Sequence, residues 1–221
     1  MIPSPLTHET LFWIGPLPIS HAVVVTWALM ALLGGGSWWL TRRLALHPSR
    51  LQAVLELLVT TLDAQIRDTM QVAAAGPYRG LIGSLFLFIL AANWSELVPG
   101  IEPPTANLET DTALALLVLV ASVGYGIARR GLRRYLRAFA EPSWLMIPLN
   151  LVEQITRTFS LTVRLFGNVM SGVFVIGIAL SLAGLLVPIP FMALDILTGA
   201  IQAYIFSVLA MVFIGAAIGG D

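Results

Sequence analysis

Six polar residues recur at helical spacing through a long apolar stretch: Glu153, Arg157, Ser160, Arg164, Asn168 and Ser171. Steps of three and four residues put them on one face of a helix, with apolar residues on the other faces. Arg164 decides what such a face is for, because a guanidinium stays protonated at any relevant pH. At a bilayer centre it costs about 3 kcal/mol on insertion scales. Glu153 and Arg157 can pair at i, i+4, whereas Arg164 has no carboxylate within four residues of it. Its partner must come from another helix or another protein. Asp195, Thr198 and Gln202 share a face of the following segment, and Asp195 is the one acid between Glu153 and the terminal Asp221. Facing stripes of this kind line a water-filled ion path or pack into a polar bundle interior. For Asn168, Ser171, Thr198 and Gln202 the packing alternative is interhelical hydrogen bonding, worth about 0.6 kcal/mol each.

The positioning elements must be membrane helices. The 221 residues are 57% hydrophobic and 11% charged, with mean hydropathy +0.88, which fits a polytopic membrane protein. Residues 149–187 contain no proline, so a continuous helix there would run about 58 Å against a hydrocarbon core of about 30 Å. The segment must break or lie at a steep tilt. Residues 191–220 would make a second overlong helix, turned against the first at Val187-Pro188-Ile189-Pro190. The expectation is an all-α membrane domain over 1–221, with five crossings and one cytoplasmic surface helix. Its parts are an external N-terminus (1–21), a first span (22–41), the surface helix (49–74), a two-span hairpin (80–128), an Arg-rich cytoplasmic loop (129–143) and a long tilted ion-path hairpin (144–221).

Charge sets the orientation. All 12 basic residues are arginines, and Arg129, Arg130, Arg133, Arg134 and Arg137 crowd one short loop, a strong cytoplasmic signal. Trp38, Trp39, Arg42 and Arg43 end the first span in the same way, which puts the N-terminus outside and the C-terminus inside. The loop carrying Glu102, Glu109 and Asp111 then faces outward, and cysteines introduced at Thr105 and Gly131 should react from opposite sides. The surface helix follows His47-Pro48 and has apolar residues at Leu51, Val54, Leu55, Leu58, Leu62, Ile66 and Met70, with charges between them. Topology alone accounts for the arginines, so nucleic-acid binding is not expected.

Enzyme chemistry has no foothold. There is no cysteine, hence no disulfide, thiolate metal site or cysteine nucleophile. The three histidines, His8, His21 and His47, lie near the N-terminus, and no Gly-rich phosphate loop precedes a helix. No catalytic site, cofactor or metal is expected. From these residues alone an ion-conducting subunit of a larger machine and a secondary transporter or channel with an anion-binding arginine both stay open.

Four ordered segments resemble the a subunit of F-type ATP synthases: PSRLQAVLELL followed by IRD, GLIGSLFLFILAANWSELVPG, PPTANLETDTALAL and, most specifically, SLTVRLFGNVMSG. The resemblance implies a stator that passes protons, or sodium ions in some branches, to a rotating ring of c subunits, with b-type peripheral stalk subunits and the lipid bilayer as further partners. It implies the inner membrane of a bacterium. It gives Arg164 the role of the essential stator arginine between two half-channels, places Asn168, Asp195 and Gln202 near those channels with Gln202 close to the arginine, and implies long, steeply tilted hairpin helices. Asn150 stands where the family often has Glu, with Glu153 one turn later as a candidate substitute. Thr158 replaces a common proline. Val173 replaces an ionisable residue whose usual partner is here Asp195.

Overall fold

The computed structural model describes residues 10–14, 17–42, 50–98, 101, 103–140, 144–183 and 188–219. Seven α-helices account for most of them: α1 (His21–Thr41), α2 (Arg50–Met70), α3 (Gly76–Trp94), α4 (Leu108–Arg130), α5 (Leu132–Ala140), α6 (Met146–Ala183) and α7 (Pro188–Ile218). Five of these, α1, α3, α4, α6 and α7, are long and apolar enough to cross a membrane. The all-helical membrane class expected above therefore holds. It has one addition ahead of α1, an antiparallel pair of short strands, β1 (Thr10–Ile14) and β2 (Leu17–Ser20).

Helix α6 does not break. Its 38 residues make a rod of about 57 Å, and the 31 residues of α7 make one of about 46 Å. Pro148 lies in the first turn of α6, and Pro188 and Pro190 in the first turn of α7, where a missing N–H leaves no intrahelical bond unmade. The prolines expected in the turn therefore open α7 instead; Val187 lies outside the described residues, as do His8, Arg43, His47, Pro48 and Glu102.

Packing is organised around α7, which touches α2, α3, α4 and α6. The core joins Ile66 and Met70 of α2, Ile82, Leu85 and Ile89 of α3, Ala115 and Val118 of α4, Leu161 and Leu165 of α6, and Phe206, Ala210, Met211 and Ile214 of α7. The C-terminal half of α2 is thus docked into the bundle, while Leu51, Val54 and Leu57 nearer its start stay exposed. Helix α1 buries only Ala22 within the chain, as suits a helix whose apolar surface meets lipid. At its end the Arg42 guanidinium sits 4.2 Å from the Trp38 ring centroid, a cation–π contact.

The stretch expected as an Arg-rich loop is largely helical. Arg129 and Arg130 end α4, and α5 carries Arg133, Arg134 and Arg137. The basic residues in the last turn of α4 complement its dipole, and Arg130 Nε donates to Ile218 O at 2.9 Å, which satisfies an end carbonyl of α7. This end is called the arginine-rich end below. Helices α4 and α7 run towards it, and α3 and α6 run away from it.

Candidate functional site

The stripe on α6 exists as a surface. Arg164 is exposed and makes no hydrogen bond or ion pair with any described residue, so its charge is offered outward from the bundle. Between α6 and α7, Glu153, Arg157, Ser160 and Arg164 line a cavity of about 520 Å³ walled by Leu209 and Phe213. A second cavity of about 160 Å³ adjoins it at the arginine-rich end, with Asn150, Glu153, Gln154 and Arg157 facing Arg130 and Tyr135. Glu153 and Arg157 form the i, i+4 ion pair foreseen from their spacing, and the Arg157 guanidinium lies 5.1 Å from the Phe213 ring centroid.

Further along α6, on the other side of Arg164, Asn168, Ser171 and Gly172 share a separate cavity of about 160 Å³ with Asp195 and Thr198 of α7. The two helices touch there. A Cβ built on Gly172 would lie 2.5 Å from Asp195 Oδ1, so only glycine lets the carboxyl rest against α6. Thr198 Oγ1 donates to Asp195 O at 3.1 Å and reaches Asp195 Oδ1 at 3.4 Å. Asp195 and Arg164 line different cavities and do not pair, which removes the structural ion pair as an explanation for either.

Gln202 lines neither cavity. It is 6% exposed, and its Nε2 has no hydrogen-bond partner among the described residues. Between the Gly172–Asp195 and Arg157–Phe213 contacts, the register of α6 on α7 sets Gln202 level with the turn from Leu165 to Asn168, directly beyond Arg164.

Two residues at the far end, Glu96 and Asn93, escaped the sequence reading, and a third, Asp111, was placed differently by it. Glu96 lies in a 3-10 turn (Ser95–Leu97) that extends α3, with its carboxyl close enough to Asp195 for the two to interact electrostatically. A carboxylate at the end of an apolar span was the available signal. Asn93 Nδ2 donates to Gly199 O at 3.0 Å and its Oδ1 accepts from Thr105 at 2.8 Å, tying α3, α7 and the 3-10 turn Pro104–Ala106 together. Asp111, expected in an outward loop, lies in the first turn of α4 with no solvent exposure, and neither of its carboxylate oxygens has a hydrogen-bond partner among the described residues.

Among the described residues no group of His, Cys, Asp and Glu is arranged to hold a metal ion. What the arrangement offers is a fixed positive charge at the edge of one cavity, with a second cavity one turn further along the hairpin, each holding polar side chains in a largely apolar wall. A family model described as ATP synthase A chain matches residues 23–215. ATP synthase subunit a 2 of Bradyrhizobium sp. is 54% identical over 216 residues, which cover 98% of this chain and 96% of that one. Subunit a 1 of Chlorobaculum parvum is 47% identical, with 96% and 94% covered, and subunit a of Albidiferax ferrireducens is 45% identical, with 96% and 93% covered. Motifs, fold and full-length similarity agree that the chain belongs to the ATP synthase A chain family, the subunit a of the membrane sector.

Proposed function

We propose that this chain is the ion-conducting stator of a rotary ATP synthase, in which Arg164 faces a ring of c subunits and separates two half-channels. The supporting observation is the exposed Arg164, without a partner among the described residues, at the border between two cavities that hold polar side chains and open at different heights of one hairpin. The half-channel towards the arginine-rich end is assigned to Asn150 and Glu153, and the other to Asn168, Ser171 and Asp195 with Glu96, with Gln202 at the level of the arginine.

The physics of the step follows from charge. A rotor carboxyl carrying its proton is neutral and crosses lipid at little cost. Beside the fixed guanidinium its ionised form is favoured, so the proton leaves there. Because Arg164 lies between the cavities, an ion that enters one must ride the ring to reach the other. Each elementary charge that crosses supplies about 2.3 kcal/mol per 100 mV, and coupling to rotation turns that drop into ATP synthesis, or the reverse into pumping. The same cycle carries a sodium ion if the rotor supplies the ligands for one. ATP chemistry itself belongs to other subunits. The peripheral stalk subunits of b type hold the stator, and the arginine-rich end faces the cytoplasm of a bacterial cell, with the N-terminus outside and the C-terminus inside the inner membrane.

Two measurements on the purified protein test this. The chain should co-purify with a small two-helix subunit that bears a membrane carboxylate, and alone in liposomes it should move no solute. Solute flux by the isolated chain would favour the transporter or channel reading instead.

A further inference from the structure

Asp111 is fully buried with both carboxylate oxygens unpartnered among the described residues, and Gln202, 6% exposed, has an Nε2 unpartnered among them. The register of their helices relates the two. Helices α4 and α7 run in the same direction, and two contacts fix their register. Ser122 Oγ donates to Phe213 O at 3.1 Å, 91 residues further along the chain. At the same offset a Cβ on Gly126 would lie 3.2 Å from Ala217 O. Asp111, Ala115, Val118, Ser122 and Gly126 form one buried face of α4, and the same offset carried three turns along that face matches Asp111 to Gln202, although no hydrogen bond joins the two in the structure. The carboxyl thereby sits in the seam of the bundle at the depth of the α6 turn that follows Arg164.

Burying a carboxyl and an amide without partners is costly, and packing alone would be served better by apolar residues. The pair has a chemical property that apolar residues lack. An ionised Asp111 can accept from Gln202 Nε2, and a protonated Asp111 can donate its O–H to Gln202 Oε1 after rotation of the amide. One site can therefore bind its proton and release it with a hydrogen bond open to it in each state. Its position suits that use. From Asp195 to Gln202 is seven residues of α7, about 10 Å, and Val173 leaves α6 without an ionisable group on this stretch.

We propose that Asp111 and Gln202 form a buried proton-transfer site between the Asp195 cavity and Arg164, an inference that rests on the stator reading above. A proton arriving from the Asp195 cavity forms an O–H bond on Asp111. That bond breaks when the proton passes to the ionised rotor carboxylate, and Asp111 returns to its charged form.

The test uses the whole assembled complex in liposomes, with the catalytic sector stripped and proton flux driven by a potassium diffusion potential. Asp111→Asn keeps the size and the capacity to hydrogen-bond Gln202 but carries no proton, and should lower flux per assembled complex about 100-fold, the lower end for a positioned proton-transfer group. Asp111→Glu should retain much of it. Asp111→Asn combined with Gln202→Glu, which moves the carboxyl across the pair, should recover flux relative to Asp111→Asn alone. Normal flux in Asp111→Asn would reduce the pair to packing and overturn the inference. If Asp111→Asn fails to assemble, the exchanged pair decides: flux in assembled complex supports the site, and its absence there overturns it. Arg164→Ala, measured alongside for ATP synthesis, keeps the two claims apart. Coupled synthesis without Arg164 would defeat the stator reading, whereas loss of coupling there together with normal flux in Asp111→Asn would defeat this inference only.

Discussion

Replacing Gly172 by alanine perturbs the Asp195 cavity with a single methyl group. The new Cβ would stand 2.5 Å from Asp195 Oδ1, 3.0 Å from Cγ and 3.2 Å from Oδ2, so the nearest atom is about 1 Å inside ordinary van der Waals contact. Either the carboxyl swings away from α6 or the two helices part. Overpacking of this size typically costs about 1–3 kcal/mol. If the carboxyl yields, that energy corresponds to a loss of about 5- to 150-fold in the occupancy of its present position. Ion flux through the assembled complex should fall by up to that factor. If the helices yield, the loss appears as less assembled complex. The assay is ion flux in liposomes under an imposed potential, divided by the amount of assembled complex. Gly124→Ala serves as the comparison, since it adds the same methyl to α4 where no atom lies within 4 Å. Unchanged flux and assembly in Gly172→Ala, or an equal loss in Gly124→Ala, would refute the claim that Asp195 acts from its seat against Gly172.

The other expectations concern stability and topology. Gly126→Ala should destabilise the bundle by about 1–3 kcal/mol in thermal unfolding, because its Cβ would meet Tyr135 Cε2 at 2.6 Å and Ala217 O at 3.2 Å; an unchanged midpoint would mean that Tyr135 moves aside freely. Arg79 Nε donates to Asp63 Oδ1 at 2.6 Å, and this guanidinium, through its hydrogen bonds above all, holds the Asp63 carboxyl below the usual carboxylate range. With the folded value depressed, the pair's contribution is present above about pH 4 and lost as the pH falls further. Asp63→Asn should therefore flatten the acid limb of a stability–pH curve, and an unaltered limb would remove the pair from the account. For topology, Thr105 and Gly131 make poor probes, since Thr105 is fully buried and Gly131 has φ 79°. Cysteines at the exposed Leu108 and Leu132 should react from the outside and the inside respectively, and the reverse labelling would overturn the assigned orientation.

The polar face of α6 was legible because its period of three to four stands out in an apolar run, and Arg164 because no protonation change can hide its charge. Length arithmetic anticipated the overlong hairpin, and the structure chose the unbroken helix from the two alternatives. What stayed illegible depends on contacts between segments. Asp111 follows two prolines and Asn107, so it read as the end of an exposed loop, and no local pattern says which way one residue in a first helical turn will face. Gly172 looked like any small residue in a membrane helix until α7 brought Asp195 against it. Whether Asp195 pairs with Arg164 depends on the register of the hairpin, which is set by side chains far apart in the chain. Helix α5 was hidden because its arginines serve positive-inside topology equally well as loop or helix.

Ion-driven ATP synthesis by the Arg164→Ala and Arg164→Lys complexes tests the central claim most directly. Both should assemble at normal levels, since Arg164 has no partner among the described residues whose loss would disturb packing. Neither should synthesise ATP above background: alanine removes the fixed charge, and the lysine ammonium lacks the planar fork of a guanidinium and can lose its proton in a dry setting. Normal coupled synthesis by either variant, at normal assembly, would contradict the assignment of Arg164 as the charge that separates the two half-channels.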